Sequence, residues 1–198
     1  GGRGPTVQGE IEAAIARIVG NAGERDESGE SGHATRLTGA GRTDSGVHAT
    51  GQVVNFSAAA RLDEAAWLRA LNTYLPDDIA VWATRFVADS FHARLSALGR
   101  RYRYRVLCAP VRAPLRERYA WRAHQRLDVA AMDAAAARLV GERDFGAFGS
   151  SPWDQRGSAE APRHTVRRVT LARCQWLTPP GDSGEPDEIV FDFAANAF

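Results

Sequence analysis

The apolar positions at the start of the chain recur at helical spacing. Ile11, Ile15, Ile18 and Val19 fall on one stripe, with Thr6 at the N-cap position and Gly20 at the far end, which predicts an amphipathic helix over residues 6–20. Residues 21–32 are rich in Gly, Ser, Glu and Asp without any period and read as a loop. A two-residue period follows over residues 34–38 and, more clearly, over 52–56, predicting two strands joined by the connection between them. Asp63 stands where a second helix needs its cap, and Trp67, Leu68, Leu71 and Leu75 give that helix an apolar face ending before Pro76. Ile79, Val81 and Ala83 then alternate with Trp82, a strand pattern over residues 79–87.

Residues 89–94, Asp-Ser-Phe-His-Ala-Arg, form a short polar connector and mark the best domain junction, dividing the chain into residues 1–92 and 93–198. Beyond it, arginine and tyrosine alternate over residues 100–106 at the period of a strand. One face carries Tyr102 and Tyr104, the other Arg101, Arg103 and Arg105. Residues 111–126 read as a basic loop with a short strand at 119–122. A third helix starts from Asp128 and runs through residue 140, with Met132, Ala136 and Leu139 inward and Gly141 closing it. Phe145 and Phe148 are expected to plug the core, and Asp144 to cap or turn the chain. Residues 150–164 lack periodicity, while 166–177 and 188–194 alternate as strands joined by the turn-rich stretch 179–186.

Composition adds a core and a charge asymmetry. With 198 residues, 44% of them hydrophobic, the chain is long enough for one large or two small domains. No apolar run approaches the roughly 18 residues of a membrane span. The first residues contain neither an initiator Met nor a signal-peptide core, so the chain reads as soluble and as lacking its natural start. Cys108 and Cys174 stand far apart without a C-x-x-C partner, which argues against a disulfide framework or a zinc site. The net charge of +1 hides a basic segment: residues 85–126 hold eleven arginines against Asp89 and Glu117 alone. Such a segment is the electrostatic footprint of a polyanion.

The densest candidate chemistry lies between the first two strands, in Gly39-Ala-Gly-Arg-Thr-Asp-Ser-Gly-Val-His48. A dinucleotide fingerprint starting at Gly39 needs a third glycine at position 44, where Asp stands. A phosphate-binding P-loop needs a lysine, and the chain has none. What remains is a tight turn with an ion pair, or a carboxylate held for catalysis with Arg42 beside it. Two residues apart in an extended loop, Arg42 and Asp44 project to the same side, where the guanidinium would keep the carboxylate ionised. His48 is assigned a role in shaping the loop. In the basic strand, arginines suit phosphates and tyrosine rings suit stacking on bases; the competing reading of Tyr104 is as a core residue of an edge strand.

Taken in order, Gly41-Arg-Thr-Asp-Ser-Gly-Val-His48 with Gly51-Gln-Val, Phe91-His-Ala-Arg94, Arg101-Tyr-Arg-Tyr104, Asp144-Phe145 and Asn196-Ala-Phe198 resemble the tRNA pseudouridine synthase A family over nearly the whole chain. The first of these blocks is highly specific; Arg-Tyr-Arg-Tyr or Asp-Phe alone would be weak. The resemblance implies an α/β (α+β) pseudouridine synthase fold: two subdomains with mixed, mainly antiparallel sheets flanked by helices, and a cleft between them. It implies a cytoplasmic homodimer that isomerises uridines on the 3′ side of the tRNA anticodon stem-loop without metal or cofactor. Asp44 takes the position of the essential aspartate, Arg42 that of an arginine positioning the flipped nucleotide, and Tyr102 that of a tyrosine near the target base. Arg101 and Arg103 are expected to contact the RNA. The family also has a strand before the first helix and, after Asn-Ala-Phe, a segment whose arginine pairs with the catalytic aspartate; on that comparison the chain reads as a fragment. The alternative is a non-catalytic or inactive RNA-binding module of the same fold. A carboxylate hydrolase is a distant third, since no second carboxylate or nucleophile–base pair accompanies Asp44 at a suggestive spacing.

Overall fold

The computed structural model describes residues 5–21, 36–58, 60–148, 165–178 and 187–196. The chain divides into two compact units, Gly1–Ser96 and Ala97–Phe198. The loops expected at 21–32, 150–164 and 179–186 lie almost wholly outside the described residues, as does the start of the strand expected at 34–38.

In the first unit, helix α1 spans Val7–Asn21. Thr6 starts it as expected: its hydroxyl accepts the Gly9 N–H at 3.1 Å, satisfying one of the first-turn donors that have no partner inside the helix. The helix runs one residue past Gly20. Ile11, Ile15 and Ile18 are buried, and Ala14 fills the same stripe. Helix α2 spans Glu64–Tyr74, and the Asp63 carboxylate caps it by accepting the Ala66 N–H at 2.7 Å. Trp67, Leu71 and Leu75 are buried against the α1 stripe together with Leu37, and Phe56 meets the Trp67 ring edge-on at 5.3 Å. The strands are shorter than their patterns: β1 is Thr38–Gly39 and β2 is Val54–Asn55, paired antiparallel.

The strand expected over 79–87 does not form. This segment runs along α2 and is held by side chains in place of a ladder. The Asn72 amide donates to the Val81 carbonyl and its oxygen accepts the Val81 N–H, both at 2.8 Å. Glu64 accepts the Phe86 N–H at 2.8 Å and pairs with Arg85 at 3.1 Å. Ile79 and Val81 pack on the core while Trp82 is exposed, so the alternation is real but serves a strap on a helix.

The second unit is built on a five-stranded mixed sheet. Its strands are β3 (Arg100–Cys108), β4 (Trp121–Ala123), β5 (Gly141–Asp144), β6 (Val166–Thr178) and β7 (Asp187–Ala195). Their order is β4-β3-β7-β6-β5, antiparallel except for β3 beside β4. Helix α3, Val129–Ala137, is capped by Asp128, which accepts the Ala131 N–H at 3.0 Å. It ends before residue 140, its last turn tightening into i→i+3 bonds such as Leu139 N–H to Ala136 O at 2.9 Å. Gly141 then takes φ 110°, a conformation other residues resist, and turns the chain into β5, a strand the sequence pattern did not announce. Met132, Ala136 and Leu139 pack on one sheet face with Val106, Ala172, Cys174 and Ile189. Phe145 joins that core, but Phe148 is 83% exposed and is no core plug. Asp144 does turn the chain, accepting the Gly146 N–H at 2.8 Å.

Mixed, mainly antiparallel pairing with flanking helices is the expected α/β (α+β) class. Among the described residues no helix is long and apolar enough to cross a membrane.

Candidate functional site

The Asp44 loop is closed at its base by the β1–β2 pair and by two bonds beyond it. Ala40 N–H donates to the Val53 carbonyl at 2.8 Å, and the Gln52 amide donates to the Gly41 carbonyl at 2.8 Å. The neck is thereby fixed while residues 42–50 stay exposed. At the tip the Val47 N–H returns to the Asp44 carbonyl at 3.1 Å, with Gly46 at φ 84° in the third position of the turn. That φ is what a type II turn demands there, and glycine meets it without strain. Among the described residues, Gly46 and its two chain neighbours aside, no atom lies within 4 Å of the place a Gly46 Cβ would occupy, so the tip is open to them on that side.

Arg42 and Asp44 are both exposed, and the ion pair their spacing permits is not formed among the described residues. The loop thus presents a carboxylate and a guanidinium as separate groups. The strand leading out of it is tied to the Phe-His-Ala-Arg block, because the Asn55 side chain accepts the Ala93 N–H at 2.8 Å. That block is a turn in which the His92 ring nitrogen Nδ1 accepts the Leu95 N–H at 3.2 Å.

Tyr102, Arg101 and Arg103 belong to the second unit. β4 pairs with β3 only over Val106–Cys108, so among the described residues β3 has β7 as its one neighbour at Tyr102 and Tyr104 and is an edge there. Tyr102 and Tyr104 stand opposite Phe193 and Phe191 on the face that α3 packs against, yet both tyrosines are exposed, Tyr104 at 64%; Tyr104 is not core. The arginines point to the other face, as the alternation requires. There they meet two carboxylates of β7 that the sequence reading did not single out. Arg103 clamps Asp192 with two bonds of 2.9 Å, and Arg101 reaches the same carboxylate at 3.4 Å. Arg105 and Arg116 both bond Glu188. Asp192 and Glu188 are 5% and 1% exposed.

The electrostatics follow from these contacts. The Arg103 fork holds the Asp192 carboxyl below the usual carboxylate range despite its burial, with Arg101 adding to the effect. Burial alone pushes Glu188 up, but the bonds from Arg105 and Arg116 outweigh it and its pKa is lowered. Both carboxylates are therefore fully ionised at neutral pH. The signal in the sequence was complementarity: Glu188, Val190 and Asp192 share one parity on their strand, as Arg101, Arg103 and Arg105 do on theirs. Among the described residues no group of three or more His, Cys, Asp or Glu side chains is placed to hold a metal ion.

A family model described as tRNA pseudouridine synthase matches residues 2–94, the stretch that contains the Asp44 loop and the Phe-His-Ala-Arg turn. The tRNA pseudouridine synthase A of Neisseria meningitidis serogroup B is 43% identical over 173 residues, 87% of this chain and 59% of that protein. Those of Verminephrobacter eiseniae and Methylococcus capsulatus are 42% and 37% identical over 98% of this chain, covering 65% and 61% of their own lengths. The chain thus spans about three fifths of the length of these relatives. With the Gly-Arg-Thr-Asp loop, the basic tyrosine strand and this identity all in one order, the chain is similar to the tRNA pseudouridine synthase A proteins along nearly its whole length.

Proposed function

We propose that the protein isomerises uridine to pseudouridine in tRNA, at positions on the 3′ side of the anticodon stem-loop, with Asp44 as the essential catalytic residue. The observation that carries this reading is the exposed Asp44 carboxylate at the tip of a loop whose neck is fixed by hydrogen bonds, within the stretch matched by the synthase model. The names of the relatives support tRNA as the substrate class.

The chemistry needs one carboxylate. The N1–C1′ bond of the uridine breaks, the uracil turns, a C5–C1′ bond forms, C5 loses its proton and N1 gains one. Asp44 serves either as nucleophile on the sugar or base, leaving at the end, or as base taking a ribose proton to give a glycal. Both routes need it ionised and beside the ribose. A stacked uridine must first leave its neighbours, at a cost of a few kcal/mol. Arg42 contacts a phosphate or fills the vacated space, the Tyr102 ring packs near the base, and Arg101, with Arg103 clamped on Asp192 beside it, belongs to the basic surface that meets the RNA backbone. The working form in this reading is a cytoplasmic homodimer without metal or cofactor.

The test incubates full-length protein with a tRNA transcript and maps pseudouridine chemically. Product on the 3′ side of the anticodon arm, absent with Asp44→Ala, is expected. Equal product from both proteins would sink the assignment, and modification confined to another arm would refute the site.

A further inference from the structure

The face of the second sheet opposite α3 carries two buried carboxylates with five arginines gathered around them. Asp192 lies at the centre of a row across three strands: Arg103 stands opposite it on β3 and Arg173 on β6. Glu188, four residues away on the same face of β7, takes Arg105 from β3 and Arg116 from the turn at 114–118. The engagement of these arginines is unequal. Arg103 is locked bidentate at 2.9 Å, Arg105 grips both oxygens of Glu188, and Arg116 is only 26% exposed. Arg101, 61% exposed, touches Asp192 through one nitrogen at 3.4 Å. Arg173 is exposed and its side chain makes no hydrogen bond or ion pair among the described residues. Five guanidinium groups against these two carboxylates leave three positive charges uncompensated within this cluster.

We infer that Asp192 and Glu188 are positioning residues which divide the basic surface into two sets. Arg103, Arg105 and Arg116 are internal counter-ions that fix the rail, whereas Arg101 and Arg173 flank it as the groups that take phosphates of the RNA backbone. This rests on the tRNA reading above and goes beyond it, since charge count alone would make all five arginines equivalent. The physical basis is that a guanidinium already satisfied by a buried carboxylate has few donors left and loses that bond if it turns to a phosphate. One with a single long contact, or none, loses little and releases a counter-ion from the nucleic acid.

The experiment measures tRNA affinity of the full-length protein against salt concentration. Arg101→Gln and Arg173→Gln should each flatten the slope of log affinity on log salt by about 0.7–0.9, the loss of one phosphate contact, and raise KM with kcat nearly kept. Arg103→Gln should leave the slope unchanged and lower the thermal midpoint. Asp192→Asn adds one positive charge, so a charge-only account predicts tighter binding with a steeper slope; the positioning account predicts binding several-fold weaker with no steeper slope. Wild-type slopes for Arg101→Gln and Arg173→Gln would overturn the assignment and leave the face to a partner other than RNA. Tighter binding by Asp192→Asn would overturn it as well. Should the Asn variant not fold, the two Gln variants at exposed positions still decide. A wild-type protein without salt-dependent tRNA binding would instead overturn the functional reading, and this inference with it.

Discussion

Replacing Glu188 by Gln removes the most deeply buried charge among the described residues of the second unit, and the structure sets the size of the effect. Wild-type Glu188 accepts from Arg105 through both oxygens and from Arg116 through one. A charge-assisted hydrogen bond contributes about 1.5–3 kcal/mol, and stripping one partner from a buried ion pair costs about 3–5 kcal/mol. Here the partners left behind are Arg105 and Arg116, 37% and 26% exposed, which can turn partly to water. That discount brings the expected loss to about 2–3 kcal/mol, or a fall in midpoint on the order of 10–15 °C for a unit of this size.

The pH dependence gives this prediction its signature. Because the folded pKa of Glu188 is lowered, its stabilisation is full above the unfolded value of about 4.3 and fades as pH falls through the folded value. Gln does not titrate. Urea unfolding of both proteins should show a constant gap between pH 8 and about pH 5, closing as pH drops below about 4. A gap under about 0.5 kcal/mol at pH 7 would refute the reasoning, since even one lost charge-assisted bond exceeds it. A gap that persists undiminished at pH 3 would assign the loss to shape and not to charge.

Two further outcomes follow from the same contacts. Asp63→Ala removes the α2 cap that holds the Ala66 N–H and should cost the first unit about 1 kcal/mol, seen as a lower urea midpoint with an unchanged slope. Burial, with the Asp133 charge nearby, pushes the Cys174 thiol up to about 11, so at pH 8 only about one molecule in a thousand carries the thiolate; a disulfide reagent should label Cys174 only on unfolding, and rapid labelling of native protein would contradict its buried placement.

The helices were legible in the sequence because their signals are local. Thr6, Asp63 and Asp128 each cap within three residues of themselves, and the Ile11–Ile15–Ile18 stripe needs no knowledge of its partner. Alternation was less decisive. Over residues 79–87 it came from a strap whose backbone bonds go to Asn72 and Glu64 on α2, and no local pattern distinguishes that from a ladder. Phe148 misled because hydrophobicity alone does not say which of two neighbouring rings reaches the sheet. In the candidate site the Asp44 loop was visible as a motif, since glycine at position 46 and Gln52 answer local backbone needs. Asp192 and Glu188 were not, because a carboxylate on a strand reads as solvent-facing until the register of β3 on β7 brings arginines across to it.

The most direct test of the account is a single-turnover comparison of wild-type and Asp44→Asn protein on the same tRNA, with binding measured in parallel. Asp44 is exposed and its side chain holds nothing else in place among the described residues, so the variant should fold normally and bind tRNA within a few-fold of wild type. Its conversion of uridine should fall by about 10²–10⁴-fold or more, the scale of losing a positioned acid–base or nucleophilic carboxylate. Conversion at the wild-type rate with binding intact would contradict the central claim.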